Sequence, residues 1–292
     1  MQQLELFLRA RHGVAGYGTL TANRFSRTEI ERATSAGSIR RIARGTFAVP
    51  DADPELVAAA RHGASLTCVS AARLLGWWVL VPATCAHIRR NSSKDIPGTR
   101  LHRGQRSAHR PVSLPEQIVH DAFKCLPRVE ALVLAESAVI RDAVRLPRLR
   151  QEFSGQRDWP IRLLLDSVRR TTASPLEVCA RFHLLAAGIR FAEEVVVPGV
   201  GRVDFLIDGW LIVEIDGYAF HSGRLDYRKD RQRWNCSASG GWVTLRITAE
   251  TILHHPDEFI CLVMRTRDKW AGGAPRGDAT VRHGTGQAAN RG

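Results

Sequence analysis

The chain has 292 residues, a formal net charge of +13 and a sequence pI near 10.4. Its length exceeds that of one average domain and is sufficient for two or three, each with its own hydrophobic core. The most apolar stretch, around Leu74 to Cys85, is too short to span a bilayer and contains Pro82, which argues against a transmembrane protein. Because no N-terminal signal segment is present either, we predict a cytoplasmic protein without membrane association.

Positive charge is concentrated in the N-terminal half, since residues 1–150 carry +11 of the net charge of +13. Nearly all of the basic residues are Arg, whose planar guanidinium suits bidentate contacts with phosphate and guanine. A basic surface alone does not distinguish nucleic acid from an anionic membrane, and a genomic bias toward Arg would produce the same composition. Since the sequence has no amphipathic or lipidation signal, we expect DNA to be the polyanionic partner.

The six cysteines are spread along the chain without the paired spacing of zinc-binding motifs. We interpret them as reduced thiols in apolar surroundings. Several histidines of the central region also lack the spacing of metal ligands, and we expect them to be exposed or singly hydrogen-bonded. These histidines are His87, His102, His109 and His120.

Residues 1–50 show the pattern of a helix, a turn, a second helix and a small hairpin. Ser26 and Glu29 form a capping-box pattern at the start of a helix that runs to about Ala36, and Gly37 ends it. Two short strands are predicted between residues 38 and 49, which together with the helices indicates a winged helix-turn-helix. Either DNA contact or a solvated surface would explain the arginines on the predicted recognition helix and wing, which are Arg27, Arg32, Arg40, Arg41 and Arg44.

The central region is predicted to be a separate α+β unit in which no catalytic motif stands out. Its expected elements in chain order are a helix near Val69 to Trp77, strands at Cys85 to Arg89 and Thr99 to Arg103, and helices near Pro115 to Cys125 and Val129 to Val144. A helical connection, interrupted by Ser154-Gly155 and Pro160, is expected from Leu146 to Arg170. Beyond Ala271 the chain has few apolar residues, and we predict a disordered tail.

The segment from Gly201 to Asp216 carries the acidic residues that suggest chemistry. Two apolar stretches, Val203 to Ile207 and Leu211 to Ile215, predict a β-hairpin in which Glu214 and Asp216 point to the same side. A two-residue loop would pair Asp204 with Val213. We favour the three-residue loop at 208–210, in which Gly209 adopts a left-handed conformation and Asp204 pairs with Glu214.

Carboxylates among apolar strand residues lose hydration and repel each other, and a divalent cation would relieve both effects. Mg²⁺ or Mn²⁺ is therefore expected at a metal site formed by Asp204, Glu214 and Asp216. Two alternatives remain open. The acids could be solvated at the end of the strand, or they could pair with Arg202, Arg224 or Arg228.

The N-terminal half resembles a known group of regulators. The segment FSRTEIERATSAGSIRRIARGTFAV, followed by VSAARLLGWW, resembles the N-terminal region of abortive-infection type IV antitoxins and related actinobacterial regulators. The resemblance implies DNA binding, for example at the protein's own promoter, and a cognate toxin or regulatory protein as a further partner.

The C-terminal half resembles a family of nucleases. Asp204, then Glu214-x-Asp216-Gly217 with a downstream His, the basic segment YRKDRQRW and the strand GWVTLRIT are similar to a bacterial domain related to very-short-patch repair endonucleases. That domain belongs to the PD-(D/E)xK superfamily, and the likeness covers about Ser174 to Trp270. It implies a restriction-endonuclease-like αβββαβ core that hydrolyses DNA with Mg²⁺.

The resemblance assigns roles to particular residues. It implies that Asp204 binds the metal, that Glu214 is the second acid, that Asp216 belongs to an acidic-glycine turn, and that His221 and Asp230 are further site positions. SPLEVCARFHLLAAGI is similar to the helix that opens the family's domain, which places Glu177 facing the site. Ser174 and Pro175 also fit a helix start with Glu177 three residues on, and we favour this capping role for Glu177.

One departure from the superfamily pattern affects the proposed chemistry. The usual Lys, two positions after the Glu, is replaced by Asp216. Because the related repair enzymes use His instead, the candidate general base is His221, with Lys229 as the alternative. Arg228 and Arg231, on a predicted helix at 225–238, are expected to contact phosphates, although acidic neighbours partly neutralise that helix.

Together these observations predict an α/β protein of the multi-domain α+β type. Its expected segments are a winged helix-turn-helix at 1–58, an antitoxin-like α+β domain at 59–148, a helical connector at 149–173, a nuclease domain at 174–270 and a tail at 271–292. The first hypothesis is an Mg²⁺-dependent DNA endonuclease. The second is a non-catalytic DNA-binding regulator or antitoxin. The sequence does not indicate an oligomeric state.

Overall fold

The computed structural model describes residues 2–92, 94–104, 110–216 and 239–270. Over these residues the protein has a mixed α/β fold with three small sheets. It divides into two compact units, Met1–Thr171 and Thr172–Gly292. No helix within the described ranges has both the length and the apolar character needed to cross a membrane. The predicted helix at 225–238 and tail at 271–292 lie outside the described residues.

The first unit combines short strands with more numerous helices. Its helices are α1 (Gln2–Arg9), α2 (Tyr17–Ala22), α3 (Arg27–Ser35), α4 (Pro54–Arg61), α5 (Cys68–Leu74), α6 (Pro115–Cys125), α7 (Arg128–Ile140), α8 (Leu146–Glu152) and α9 (Trp159–Asp166). Its strands are β1 (Val14–Gly16), β2 (Arg40–Ala43), β3 (Thr46–Ala48), β4 (Ser65–Leu66), β5 (Ala86–Arg90) and β6 (Thr99–Arg103).

The N-terminal part of this unit is built around α3 and an antiparallel sheet of order β1-β3-β2. The predicted capping box is confirmed, because Ser26 Oγ accepts from the Glu29 backbone N–H at 3.3 Å and the Ser26 N–H donates to Glu29 Oε2 at 2.7 Å. Gly37, with φ +74°, follows the helix end as predicted. The predicted hairpin is also present, whereas β1 was not predicted.

Replacing Ser26 with Ala is expected to destabilise the first unit by about 1 kcal/mol, since one helix N–H loses its acceptor. Hydrogen bonds from Ser26 hold the pKa of Glu29 below its usual value of 4.5. A depressed folded-state pKa contributes stability above the unfolded pKa that is lost as pH falls through the folded value. The difference in the free energy of unfolding between wild type and variant, measured by urea denaturation, should therefore become smaller at acidic pH. Ser35→Ala, at the exposed end of the same helix, should unfold like wild type at every pH.

The central part of the first unit contains a sheet of order β4-β5-β6. β5 and β6 are parallel, and β4 is antiparallel to β5. Helix α4 packs against strands of both sheets of the first unit. The predicted domain limit at residue 58 falls within this helix. Beyond α8, Pro160 does not interrupt the connection but lies in the first turn of α9, where a missing N–H costs nothing.

The second unit consists of one sheet and three described helices. Its elements are α10 (Pro175–Ala186), β7 (Phe191–Val197), β8 (Gly201–Ile207), β9 (Leu211–Asp216), β10 (Val243–Thr248), α11 (Ala249–His254) and α12 (Pro256–Trp270). The strand order is β10-β9-β8-β7. β7, β8 and β9 form an antiparallel meander, and β10 is parallel to β9.

The hairpin of β8 and β9 has the predicted register. Phe205 pairs with Val213 and Ile207 pairs with Leu211, which leaves a three-residue loop at 208–210. Gly209 adopts φ +77°, the left-handed conformation that was predicted for it. Asp204 and Glu214 lie one residue beyond the last ladder pair, where the Asp204 side chain accepts from the Ile215 N–H.

Candidate functional site

A row of charged residues crosses the sheet of the second unit. The ladder of β7 and β8 pairs Glu193 with Phe205 and Val195 with Val203, so Glu194 and Asp204 lie between paired residues; the ladder of β8 and β9 ends one residue before Asp204 and Glu214. Arg246 of β10 is paired with Glu214 in the parallel ladder. We call Glu194, Asp204, Glu214 and Arg246 the charged row. The register therefore brings the two predicted metal-binding acids, Asp204 and Glu214, onto adjacent strands.

The two central acids of the charged row are held in different ways. Asp204 Oδ2 accepts a hydrogen bond from the backbone N–H of Ile215 at 2.8 Å, which orients its carboxylate toward β9. Glu214 Oε2 lies 3.0 Å from Nη2 of Arg246, and the two side chains are 15 % and 31 % exposed. The Arg246 guanidinium thus offsets the charge of Glu214. Pairing of the acids with an arginine was one of the alternatives from the sequence, but the arginines considered there were Arg202, Arg224 and Arg228.

Glu177 has the capping role that the sequence favoured. The Ser174 hydroxyl donates to Glu177 Oε1 at 2.8 Å, and the Ala173 N–H donates to Oε2 at 3.1 Å. Burial raises the pKa of Glu177, and the carboxylates of Asp204 and Glu194 raise it further. Glu177 therefore caps α10 and also lies close enough to the charged row to interact with its acids.

The remaining predicted catalytic residues are less defined. Asp216 ends β9, is exposed and is paired with Thr248 in the ladder. Five predicted site residues lie outside the described part of the chain, namely His221, Arg228, Lys229, Asp230 and Arg231. Sequence reasoning did not select Glu194 or Arg246, because only the pairing of β7 and β10 with the hairpin puts them in the row.

The five arginines of residues 1–58 that were predicted to bind DNA are exposed. Arg27 and Arg32 lie on α3, Arg40 and Arg41 on β2, and Arg44 in the turn that follows. Arg27 forms an exposed ion pair with Glu31 at 2.7 Å. Such a pair contributes little to stability, so the guanidinium can exchange its partner for a phosphate at small cost.

Four side chains with metal-binding atoms meet in the central part of the first unit. Cys68 begins α5, His87 lies on β5, His102 lies on β6, and Cys125 ends α6. Their ligand atoms all lie within 4.8 Å of one another. We call these four residues the Cys/His cluster.

The sequence-based interpretation of these residues did not include their proximity. His87 and His102, expected to be exposed or singly hydrogen-bonded, are buried with 8 % exposure each and lie beside each other. The described cysteines are free thiols, as predicted. Cys68 and Cys125, however, lie beside the two histidines, whose ring nitrogens can also bind a metal. The proximity was missed because the four residues come from four separate elements, so no short spacing in the sequence announces their convergence.

The ring nitrogens of the Cys/His cluster face each other at short range. His87 Nδ1 lies 3.2 Å from His102 Nε2 and 3.8 Å from Cys125 Sγ. Burial lowers the pKa of His87 to about 4, with further lowering by His102 and Arg100. Burial also lowers the pKa of His102 and raises that of the Cys68 thiol.

The two groups suit different metals. In the described ranges, the Cys/His cluster is the only set of three or more Cys, His, Asp or Glu side chains with ligand atoms all within 4.8 Å. Asp204, Glu214 and Asp216 do not form such a set. Thiolate and imidazole ligands favour a transition metal, whereas carboxylates favour Mg²⁺ or Mn²⁺.

Comparison of the chain with models of protein families finds no match, and comparison with curated proteins also finds none.

Proposed function

We propose that this protein is an Mg²⁺- or Mn²⁺-dependent DNA endonuclease whose C-terminal unit cleaves the phosphodiester bond. The observation that carries the proposal is the position of Asp204 and Glu214 on adjacent antiparallel strands, each next to the last ladder pair, Phe205 with Val213, and with the Asp204 carboxylate bonded to β9. A winged helix-turn-helix in residues 1–58 would bind DNA and bring the nuclease unit to its substrate.

The order of elements in the second unit supports this proposal. A helix, α10, precedes an antiparallel meander of three strands, and a fourth strand, β10, joins parallel to β9. This is the order expected of a restriction-endonuclease-like αβββαβ core, with the second helix of that core expected at 225–238. The likeness concerns topology, and function must be argued from the site itself.

Several carboxyl groups lie near the charged row. Glu177 interacts electrostatically with Asp204 and Glu194, and Glu214 is paired with the guanidinium of Arg246. Partly buried carboxylates at short range repel each other. When bound, Mg²⁺ would stabilise charge on the phosphate and favour ionisation of the attacking water. Asp204 and Glu214 are the residues that would hold the ion, with Asp216 assisting.

Other residues of the chain would handle the proton and the DNA backbone. The hydrogen bond from the Ile215 N–H keeps the Asp204 carboxylate oriented before any ligand arrives, which lowers the cost of organising the site. We assign proton transfer to His221, with Lys229 as the alternative, and a supporting position to Asp230. Arg228 and Arg231 would contact phosphates beside the cut.

The proposal is tested by incubating the purified full chain with supercoiled plasmid and with nicked or mismatched duplexes. Cleavage is expected in Mg²⁺ or Mn²⁺ and not in EDTA. Titration calorimetry with Mn²⁺ should show an ion that binds wild type but not the Asp204→Ala protein. Cleavage that persists in EDTA, or at an unchanged rate in Asp204→Ala and Glu214→Ala proteins, would mean that another activity is responsible.

A second candidate function is a non-catalytic DNA-binding regulator or antitoxin. The ion pair between Glu214 and Arg246 favours it, because a carboxylate already neutralised by an arginine has less need of a metal. The absence of Lys from position 216 points the same way. In this case the first unit would bind promoter DNA, and the second would contact DNA or a cognate toxin.

DNA binding through the first unit is expected under either function. In EDTA, the triple variant Arg27→Ala/Arg32→Ala/Arg41→Ala should bind duplex DNA more weakly. The slope of the logarithm of the DNA association constant against the logarithm of the salt concentration should become shallower by roughly one for each phosphate that the variant no longer binds. A control with the same change of charge replaces three exposed arginines outside residues 1–58, Arg148, Arg150 and Arg157, and should retain the wild-type slope. Equal weakening in both variants would assign binding to net charge and not to the predicted recognition surface.

A further inference from the structure

We propose that Cys68, His87, His102 and Cys125 bind one zinc ion and form a structural metal site in the first unit. Two sulfur and two nitrogen atoms from α5, β5, β6 and α6 converge with all ligand atoms within 4.8 Å of one another. This donor set is that of many four-coordinate structural zinc sites. The site is independent of the carboxylates of the second unit and of DNA cleavage.

The distances between donor atoms fit a tetrahedral ion. Zinc to nitrogen and zinc to sulfur distances of about 2.05 and 2.3 Å imply separations of about 3.4 Å between two nitrogens and about 3.6 Å between nitrogen and sulfur. His87 Nδ1 and His102 Nε2 are 3.2 Å apart, and His87 Nδ1 and Cys125 Sγ are 3.8 Å apart. These two separations are within about 0.2 Å of the tetrahedral values, and all other separations between donor atoms are at most 4.8 Å.

A buried carboxylate supports His102 from behind. Nδ1 of His102 lies 3.8 Å from Asp121 Oδ1, on the side of the ring away from His87. Asp121 is 3 % exposed and is held by the Thr67 hydroxyl at 2.7 Å and by Arg89 Nη1 at 2.5 Å. Histidine ligands of metals usually donate their second ring N–H to such a carboxylate, which fixes the tautomer that leaves the other nitrogen free to bind. At 3.8 Å the two atoms are beyond hydrogen-bond distance, so Asp121 would position His102 if the two side chains move closer when the metal binds.

The position of the ligands indicates a structural site. All four coordination positions come from the protein, whereas a catalytic zinc keeps one position for water or substrate. The ligands tie the first residue of one helix and the last residue of another to two neighbouring strands. Cys68 has φ +52°, a left-handed conformation that costs a non-glycine residue free energy and that the bond to the metal would offset.

The test measures metal in the full chain, purified under reducing conditions from zinc-supplemented medium. Elemental mass spectrometry should find about one zinc per chain after dialysis. Protein in which Co²⁺ replaces zinc should show the intense visible absorption and the thiolate charge-transfer bands of tetrahedral S₂N₂ coordination. Cys125→Ser and His102→Ala should lose the zinc. Cys85→Ser, which replaces a half-buried cysteine of the same unit, should retain it.

A variant that keeps all four ligands protects the test against misfolding. Asp121→Asn should still bind cobalt in the same geometry but with about 10- to 100-fold lower zinc affinity, because it changes the carboxylate behind His102 and its contacts with Thr67 and Arg89 while all four ligands remain. The proposal is overturned if reduced wild-type protein contains no zinc and shows no tetrahedral cobalt spectrum. It is also overturned if peptide mapping finds Cys68 and Cys125 joined as a disulfide in the native protein, or if Cys85→Ser loses metal to the same extent as Cys125→Ser.

Discussion

Replacing Asp204 with Asn is expected to lower the rate of DNA cleavage by at least about 100-fold, the loss typical when one preorganised polar group that stabilises a developing charge is removed. Asn has nearly the same shape, and its side-chain oxygen can still accept the hydrogen bond from Ile215. The substitution therefore removes the negative charge with little change to the hairpin. The measurement is the initial rate of plasmid nicking at saturating Mg²⁺, together with Mn²⁺ affinity by calorimetry.

Asp208→Asn is the matched control for this prediction. Asp208 lies in the turn of the same hairpin and forms an ion pair with Arg267 at 2.6 Å, away from the charged row. The same chemical change at this position should leave both cleavage and Mn²⁺ binding as in wild type. Cleavage at the wild-type rate in Asp204→Asn, or an equal loss in both variants, would remove Asp204 from the proposed metal site.

Arg246 is the residue on which the two proposed functions differ most. It contributes a cation beside Glu214 from the neighbouring strand, whereas the nuclease superfamily that the C-terminal half resembles has a Lys at the position that Asp216 occupies here. In a nuclease, this guanidinium could release Glu214 to the metal and turn toward the phosphate, whose bidentate geometry it matches. In a regulator, the pair with Glu214 would remain as a fixed structural contact.

The hairpin at the centre of the site could be predicted in part from local rules. Asp208 and Gly209 both have positive φ, +51° and +77°, and such residues fit a two-residue as well as a three-residue loop, so the local pattern narrowed the loop to these two lengths. The choice of loop then fixes which residue lies opposite Asp204. The helix starts at Ser26 and Ser174 were predictable for the same reason, since a capping residue and its partner are separated by only three positions.

The interactions that were not predicted depend on pairing between distant segments. Glu194 and Arg246 join the charged row only through the registers of β7 and β10, which no local pattern fixes. The Cys/His cluster joins residues that lie up to 57 positions apart, from Cys68 to Cys125. One local pattern near this cluster was present in the sequence. Asp121, which lies beside His102, and Cys125 are four residues apart on α6 and so share a face of that helix.

The prediction with the largest expected effect on stability concerns Arg181, which is 1 % exposed in the second unit. Its guanidinium forms an ion pair with Glu193 of β7 and donates to the Thr172 hydroxyl at 2.6 Å. Arg181→Met keeps most of the side-chain volume but leaves Glu193 without its buried partner. Breaking a buried ion pair in this way costs about 3–5 kcal/mol, because one carboxylate stays desolvated and loses its compensating charge.

Arg267→Met provides the comparison within the same unit. The Arg267 and Asp208 side chains are each 30 % exposed, so solvent screens their ion pair and its loss should cost at most about 1 kcal/mol. Hydrogen exchange of peptides from α10 to β9 in the full chain, measured across a urea series, reports the stability of this unit separately from the first. In the double variant Arg181→Met/Glu193→Met the stability should be largely recovered, since no charge then remains buried without a partner. Equal destabilisation in Arg181→Met and the double variant would show that packing of the long Arg side chain, and not its charge, stabilises the unit.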